Sequence, residues 1–357
     1  MRNLLAGALT IGLAATAAGG ERKPNSLTSQ EIRAGWVMLF DGTTMFGWKD
    51  GKVPISDGAL QLENESDIST MGEFANFELR FQAKILRGFA RVSLPGENAI
   101  QRDDTTNVGS ARWLNRMAKT EPTLGPVHVH FKAEKSDLWH ARSIRLRALN
   151  MTPLFTAKDL AGWKIFPGKK SKFTVEDGAI HMTNGPGDLQ TVGKYKDFML
   201  QLECKTNGKH LNSGVFFRCR EGEYQNGYEA QLRNQFTAEP KQVYTIEEYD
   251  PKTHEPTGKK KVKYTAVDYG TGGIYRRQPA RREVARDGEW FTMTILARGN
   301  HFATWVNGIQ VTDWTDNRPP SDNARTGFRR AAGHISLQGH DPTTDLSFRN
   351  LRIAELK

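Results

Sequence analysis

Phe291-Thr292-Met293-Thr294-Ile295 alternates apolar and polar residues, and Ala303-Thr304-Trp305-Val306 runs through Asn307-Gly308 into Ile309-Gln310-Val311-Thr312. Alternation of this kind marks a strand with one face buried. Asn-Gly between two such runs is the preferred type I′ hairpin turn, because both residues accept φ > 0. The stretch predicts antiparallel pairing. Outward from it, short alternating runs broken by Gly, Asn, Asp and Pro recur from Phe173 to Ile353, and helical periodicity is nearly absent. A spacing of about ten residues between such runs predicts an all-β fold of two antiparallel sheets packed as a jelly-roll-like sandwich.

The chain also repeats itself. Leu39-Phe40-Asp41-Gly42 with Gly47-Trp48-Lys49 returns as Leu154-Phe155-Thr156-Ala157 with Gly162-Trp163-Lys164. Asp57-Gly58-Ala59-Leu60 returns as Asp177-Gly178-Ala179-Ile180, and Asn76-Phe77-Glu78-Leu79 as Asp197-Phe198-Met199-Leu200. Ile144-Arg145-Leu146 returns as Leu351-Arg352-Ile353. The offset jumps from 121 (76 to 197) to 207 (144 to 351), so the second copy holds about 86 residues that the first lacks. The expectation is two copies, 37–150 truncated and 151–357 complete, behind a linker at 19–36 with a short helix at Ser29–Arg33. Residues 233–288 read as an irregular basic insertion carrying Lys259-Lys260-Lys261-Val262-Lys263.

Residues 1–18 read as a cleavable secretory signal. Arg2 precedes an apolar run from Leu4 to Ala18 that ends on Ala15-Thr16-Ala17. The run is shorter than the ~20 residues of a spanning helix. No cysteine follows it to take a lipid, so the expected location is periplasmic or secreted without a stable membrane anchor. The chain has 50 Lys+Arg against 40 Asp+Glu, a net charge of +10. Such a balance suits solubility or acidic partners. Nucleic acid is disfavoured, because the lysine run has no interleaved aromatics for base stacking. Two cysteines without a CxxC exclude a cysteine zinc site.

Alternation also assigns faces. Val215, Phe217 and Cys219 share one side of their run, and Phe216, Arg218 and Arg220 the other. Leu200, Leu202 and Cys204 oppose Gln201, Glu203 and Lys205. Tyr228, Ala230 and Leu232 oppose Glu229 and Gln231. Ile335 and Leu337 oppose His334, Ser336 and Gln338, with His340 at the strand's end. One polar face is thereby expected to collect Glu203, Arg218, Glu229, Gln231 and Gln338, as either a solvated outer sheet or the floor of a cleft. If the runs holding Cys204 and Cys219 are antiparallel neighbours, the two thiols share a buried face, and a disulfide or two inert thiols follow.

Residues 153–357 resemble the 3-keto-disaccharide hydrolase family, which has a concanavalin-A-like lectin/glucanase sandwich. The resemblance is carried by Asn212-Ser213-Gly214-Val215-Phe216-Phe217-Arg218, Gly227-Tyr228-Glu229-Ala230-Gln231, Thr271-Gly272-Gly273-Ile274-Tyr275, Gly288-Glu289-Trp290, Trp305-Val306-Asn307-Gly308 and Ile335-Ser336-Leu337-Gln338-Gly339-His340. It implies cleavage of glycosides whose sugar carries a ketone at position 3. The ketone acidifies the adjacent C–H, a base removes that proton, the leaving sugar departs by elimination, and water adds. It implies Glu229 or His340 as the base, Arg218 and Gln231 at the enolate oxygen, and Tyr275, Gln338, Glu203 and Trp290 as substrate contacts, with Trp305 and Trp314 as further stacking candidates. A divalent cation on Glu229 and His340 is left open. The strand offers Glu229 and then Gln231, one carboxylate where ordinary glycoside hydrolysis uses a pair. The alternative is a non-catalytic, lectin-like carbohydrate-binding protein.

Overall fold

The computed structural model describes residues 23–49, 52–93, 112–120, 125–235, 242–264 and 270–357. The expected signal segment lies outside them. The helix Ser29–Arg33 forms as expected, held by a reciprocal capping box between Thr28 and Glu31. Almost everything else is antiparallel strand.

Two sandwiches are seen. In the larger, an eight-stranded sheet runs in the order Lys172–Glu176, Ala179–Thr183, Asp345–Glu355, Phe198–Thr206, Phe291–Arg298, His301–Val306 and Ile309–Thr315, with Thr152–Pro153 also on Asp345–Glu355. The hairpin at Asn307-Gly308 has φ of 47° and 74°, as the turn type requires. A five-stranded sheet, Trp163–Ile165, Gly187–Thr191, His334–Gly339, Ser213–Cys219 and Tyr228–Leu232, packs on it. Leu200, Leu202, Phe291 and Ile295 from one sheet meet Leu189, Val215, Phe217, Ala230 and Leu337 from the other in a single buried core.

In the smaller sandwich, Ile55–Ser56, Ala59–Glu63, Leu138–Ala148, Phe77–Arg87 and Leu114–Lys119 follow the order of the first five strands of the eight-stranded sheet. Trp48–Lys49, Asp67–Thr70, His130–Lys132 and Arg91–Ser93 likewise parallel the first four strands of the five-stranded sheet. Among the described residues, no strand there corresponds to Tyr228–Leu232. The smaller core extends onto the outer face of the eight-stranded sheet through Met199, Leu296, Ala303 and Trp305. Trp305 is 1% exposed and its Nε1 donates to Met38 O at 2.9 Å, so it is a packing residue rather than a sugar platform. Trp314 stacks on Phe302, with ring centroids 5.7 Å apart, for the same purpose.

The insertion is more regular than expected. Gln242–Tyr249 and Pro256–Tyr264 pair antiparallel as a hairpin. Lysines at 259, 260 and 261 suppress an apolar pattern there without preventing the ladder. Among the described residues, no helix is long and apolar enough to cross a membrane.

Candidate active site

The register of the five-stranded sheet sets out its polar face in transverse rows. Gln190 faces Ser336, Ser336 faces Phe216, and Phe216 faces Glu229. In the next row Asp188 faces Gln338 and Gly214 faces Gln231. A cleft of about 520 Å³ opens on this face. Glu229, Gln231, Gln338, Tyr275 and His340 all line it, joined by Asn212, Phe216, Tyr224, Arg276 and Arg325. Among the described residues, Glu229 is the only carboxylate in that lining.

Gly214 gives Glu229 its place. A Cβ at 214 would stand 2.6 Å from Glu229 Oε1, closer than real contacts allow, so a side chain there would push the carboxyl out of its present place. Gln231 Nε2 donates to Asn212 Oδ1 at 2.7 Å and Ser213 O at 3.1 Å, which leaves its carbonyl oxygen for a ligand. The segment after residue 270 clamps the edge strand: Gln231 N donates to Gly273 O, Gly272 N to Gln231 O, and Tyr275 N to Glu229 O. That clamp brings Tyr275 and Arg276 to the cleft, and Gly272 accepts the φ of +92° it needs.

The carboxyl of Glu229 has no hydrogen-bond or ion-pair partner among the described residues. Burial pushes it up from its ordinary 4.5 to about 8, opposed by Arg325 and Arg276 and reinforced by Asp188. At neutral pH it is therefore chiefly the neutral acid. His340 sits at the rim, 43% exposed, with Nδ1 2.8 Å from Asp341 Oδ2. Its turn is fixed by Thr344 Oγ1, which accepts from the His340 and Asp341 backbone N–H groups. An ionised Asp341 only accepts, so Nδ1 is the ring nitrogen that donates to it, and Nε2 is the one assigned to the cleft chemistry proposed below. The described lining thus holds one neutral carboxyl, one oriented imidazole and three arginines, Arg276, Arg277 and Arg325. Among the described residues, no three metal-ligating side chains come together. Glu229 and His340 would supply a divalent cation with at most two protein ligands.

Residues 150–354 match the model of the 3-keto-alpha-glucoside-1,2-lyase-like domain. The chain belongs to this family. Its lyase-like domain is thus of a carbohydrate-active, glycoside-hydrolase-like kind. The "putative glycosyl hydrolase from Parabacteroides distasonis ATCC 8503" is 25% identical. That similarity covers 58% of this chain and 94% of the other, with a TM-score of 0.44. The carbohydrate binding module CBM66 from Bacillus subtilis is 13% identical over 58% of this chain and 98% of the module, with a TM-score of 0.37. No curated protein matches the chain.

Several residues expected at the site of this lyase-like domain fall elsewhere. Arg218 is wholly buried on the other side of the sheet. Between the pairs Phe216↔Ser336 and Cys219↔His334 one strand advances three residues and its partner two, and Arg218 has a φ of 52°. This β-bulge ends the alternation at Phe216 and turns Arg218 inward. Its guanidinium donates to Lys196 O, Gly299 O, Arg329 O and Asp197 Oδ1. It ties loops together and does not touch the cleft. Arg218→Ala is therefore expected to destabilise the fold by about 3–5 kcal/mol, as for removal of one partner of a buried ion pair. A thermal melt checks this, and an unchanged melting temperature would overturn it.

Glu203 has the expected parity but sits in the eight-stranded sheet, so it faces away from the cleft. It accepts from Arg349 Nε at 2.7 Å and Asn350 Nδ2 at 2.8 Å. Trp290 lies on that same outer side, with the Arg349 guanidinium 3.9 Å over its ring. Cys204 and Cys219 are free, buried thiols. Their strands belong to different sheets, so the neighbour pairing that a disulfide required is absent. Burial pushes both thiols well up.

Asp188 was not foreseen. Gly187-Asp188-Leu189-Gln190-Thr191 has a single large apolar residue and escapes a hydrophobicity reading, yet it is an inner strand of the cleft sheet. Burial pushes Asp188 up to about 6, and Gln225 N donates to its Oδ2 at 3.1 Å. Asp188 Oδ1, Gln190 Nε2, Ser336 Oγ and Gln338 Oε1 all lack a hydrogen-bond partner while buried. Four such atoms beneath one polar face form a floor ready for polar ligand groups or water. Arg276 and Arg325 carried no signal, because loop arginines are common in this basic chain.

Proposed function

We propose that the cleft cleaves 3-keto-glycosides by ketone-assisted elimination followed by hydration. The observation that carries the reading is the pairing of one neutral carboxyl, Glu229, with one Asp341-oriented imidazole, His340, in the same cleft. Hydrolysis of an unmodified glycoside uses two flanking carboxyl groups; among the described residues Glu229 is the one carboxyl lining the cleft, with Asp188 buried beneath it.

In this reading His340 Nε2 takes the C2 proton. The C–H electron pair becomes the C1–C2 double bond as the C1–O bond breaks. The carboxyl of Glu229 protonates the departing oxygen. Arg276 and Arg325 replace Arg218 as the groups stabilising negative charge on the ketone oxygen while C2 is deprotonated. Gln231, Gln338 and Tyr275 hold hydroxyls. Water then adds at C1, and a proton returns to C2. The phenyl ring of Phe216 and the ring of Tyr224 supply the apolar walls.

The test compares a 3-keto-disaccharide with its unoxidised parent in deuterated water. The keto sugar should be cleaved with deuterium entering C2 and the parent left intact. Equal cleavage of both, or cleavage of the keto sugar without deuterium at C2, would overturn the mechanism.

The matching strand orders further support reading 37–150 as a degenerate copy of 151–357. With no counterpart of the Glu229 strand among its described residues, that copy is read as having a structural or binding role. Export to the periplasm or medium belongs to the same proposal and rests on residues 1–18.

A further inference from the structure

A second cleft, of about 730 Å³, lies at the seam of the two sandwiches. The smaller one contributes Lys49 and His128, the larger Lys196, His301, Asn317 and Arg330. Two carboxylates also line it, but both are engaged: Arg298 bonds Glu73 Oε2 and Asp197 Oδ2, each at 2.8 Å. That leaves Lys49, Lys196 and Arg330 without a carboxylate partner among the described residues. Lys49 Nζ has only the His128 ring, with Nε2 3.0 Å away.

Two buried polar atoms of the lining are also unsatisfied, His301 Nε2 and Asn317 Oδ1. His301 Nε2 is 3.6 Å from Asp313 Oδ2, too far for a hydrogen bond. Burial pushes His301 down to about 4, so the ring is neutral and does not add to the charge. Three cations with no carboxylate partner among the described residues call for an anion. The Asn317 oxygen calls for a donor, which sulfate lacks and a sugar hydroxyl supplies. The volume lies within the ~300–1,000 Å³ range of small-molecule sites.

We propose that this seam binds an acidic saccharide, one bearing carboxylates as well as hydroxyls. The site is separate from the Glu229 cleft, and the proposal does not depend on the reaction assigned there. Titration calorimetry of the full chain with a galacturonate trimer tests it, with a neutral glucose trimer and inorganic sulfate as comparisons. The acidic trimer should bind at least ~10-fold more tightly than either, and more weakly as salt rises. Lys196→Gln with Arg330→Gln, two exposed positions, should weaken it by ~10-fold or more while leaving turnover and melting temperature unchanged. Glu229→Gln should leave trimer binding intact. Absence of trimer binding, sulfate binding as tight as the trimer, or indifference to the double variant would each overturn the proposal.

Discussion

Glu229→Gln is expected to slow turnover of a 3-keto-disaccharide by about 10²–10⁴-fold, the usual contribution of a positioned general acid or base. The amide keeps the shape over Gly214 and can still donate a hydrogen bond, but it has no proton to give a leaving oxygen. Because burial holds the native carboxyl at about 8, kcat/KM of the native chain should fall above about pH 8 as the acid form is lost. The variant should lack that alkaline limb. Stability should move the other way. A carboxyl raised from 4.5 to about 8 contributes fully below pH 4.5, and its contribution is lost as pH rises towards 8. The amide does not titrate, so above pH 8 the variant should melt higher than the native chain. Native-like turnover in Glu229→Gln would remove the carboxyl from the chemistry.

His340→Ala is expected to lose a similar factor, about 10²–10⁴. The ring is exposed at the cleft rim and bonded only through Asp341 and its own turn, so its removal should leave the melting temperature nearly unchanged. Added imidazole should restore part of the rate by occupying the vacated space. Deuterium entry at C2 should fall in step with turnover. Were C2 exchange to persist at the native rate in His340→Ala, another group would be the base.

Much of this architecture is local and therefore readable from the chain. The Asn307-Gly308 turn needs two positive φ values, and alternation through Tyr228–Leu232 places Glu229 and Gln231 on one face whatever that strand pairs with. The capping residues Thr28 and Glu31 act within one helical turn. By the same logic Gln338 and His340 stand on the cleft side of their own strand. Where the reading failed, the deciding contacts were long-range. Whether Glu203 shares a face with Glu229 depends on which of two sheets its strand joins, and parity carries no information about that. Arg218 was reassigned by one extra residue in a ladder, visible only when two strands are paired. Asp188 lies on a strand held by its neighbours' hydrogen bonds rather than by its own hydrophobicity. The sequence by itself determined most of the strands and turns and, where the ladder is regular, the side each residue faces along its own strand. Tertiary structure alone decided which strands became neighbours, and with that which buried carboxyl met which arginine, because pairing energies are summed over residues far apart in the chain.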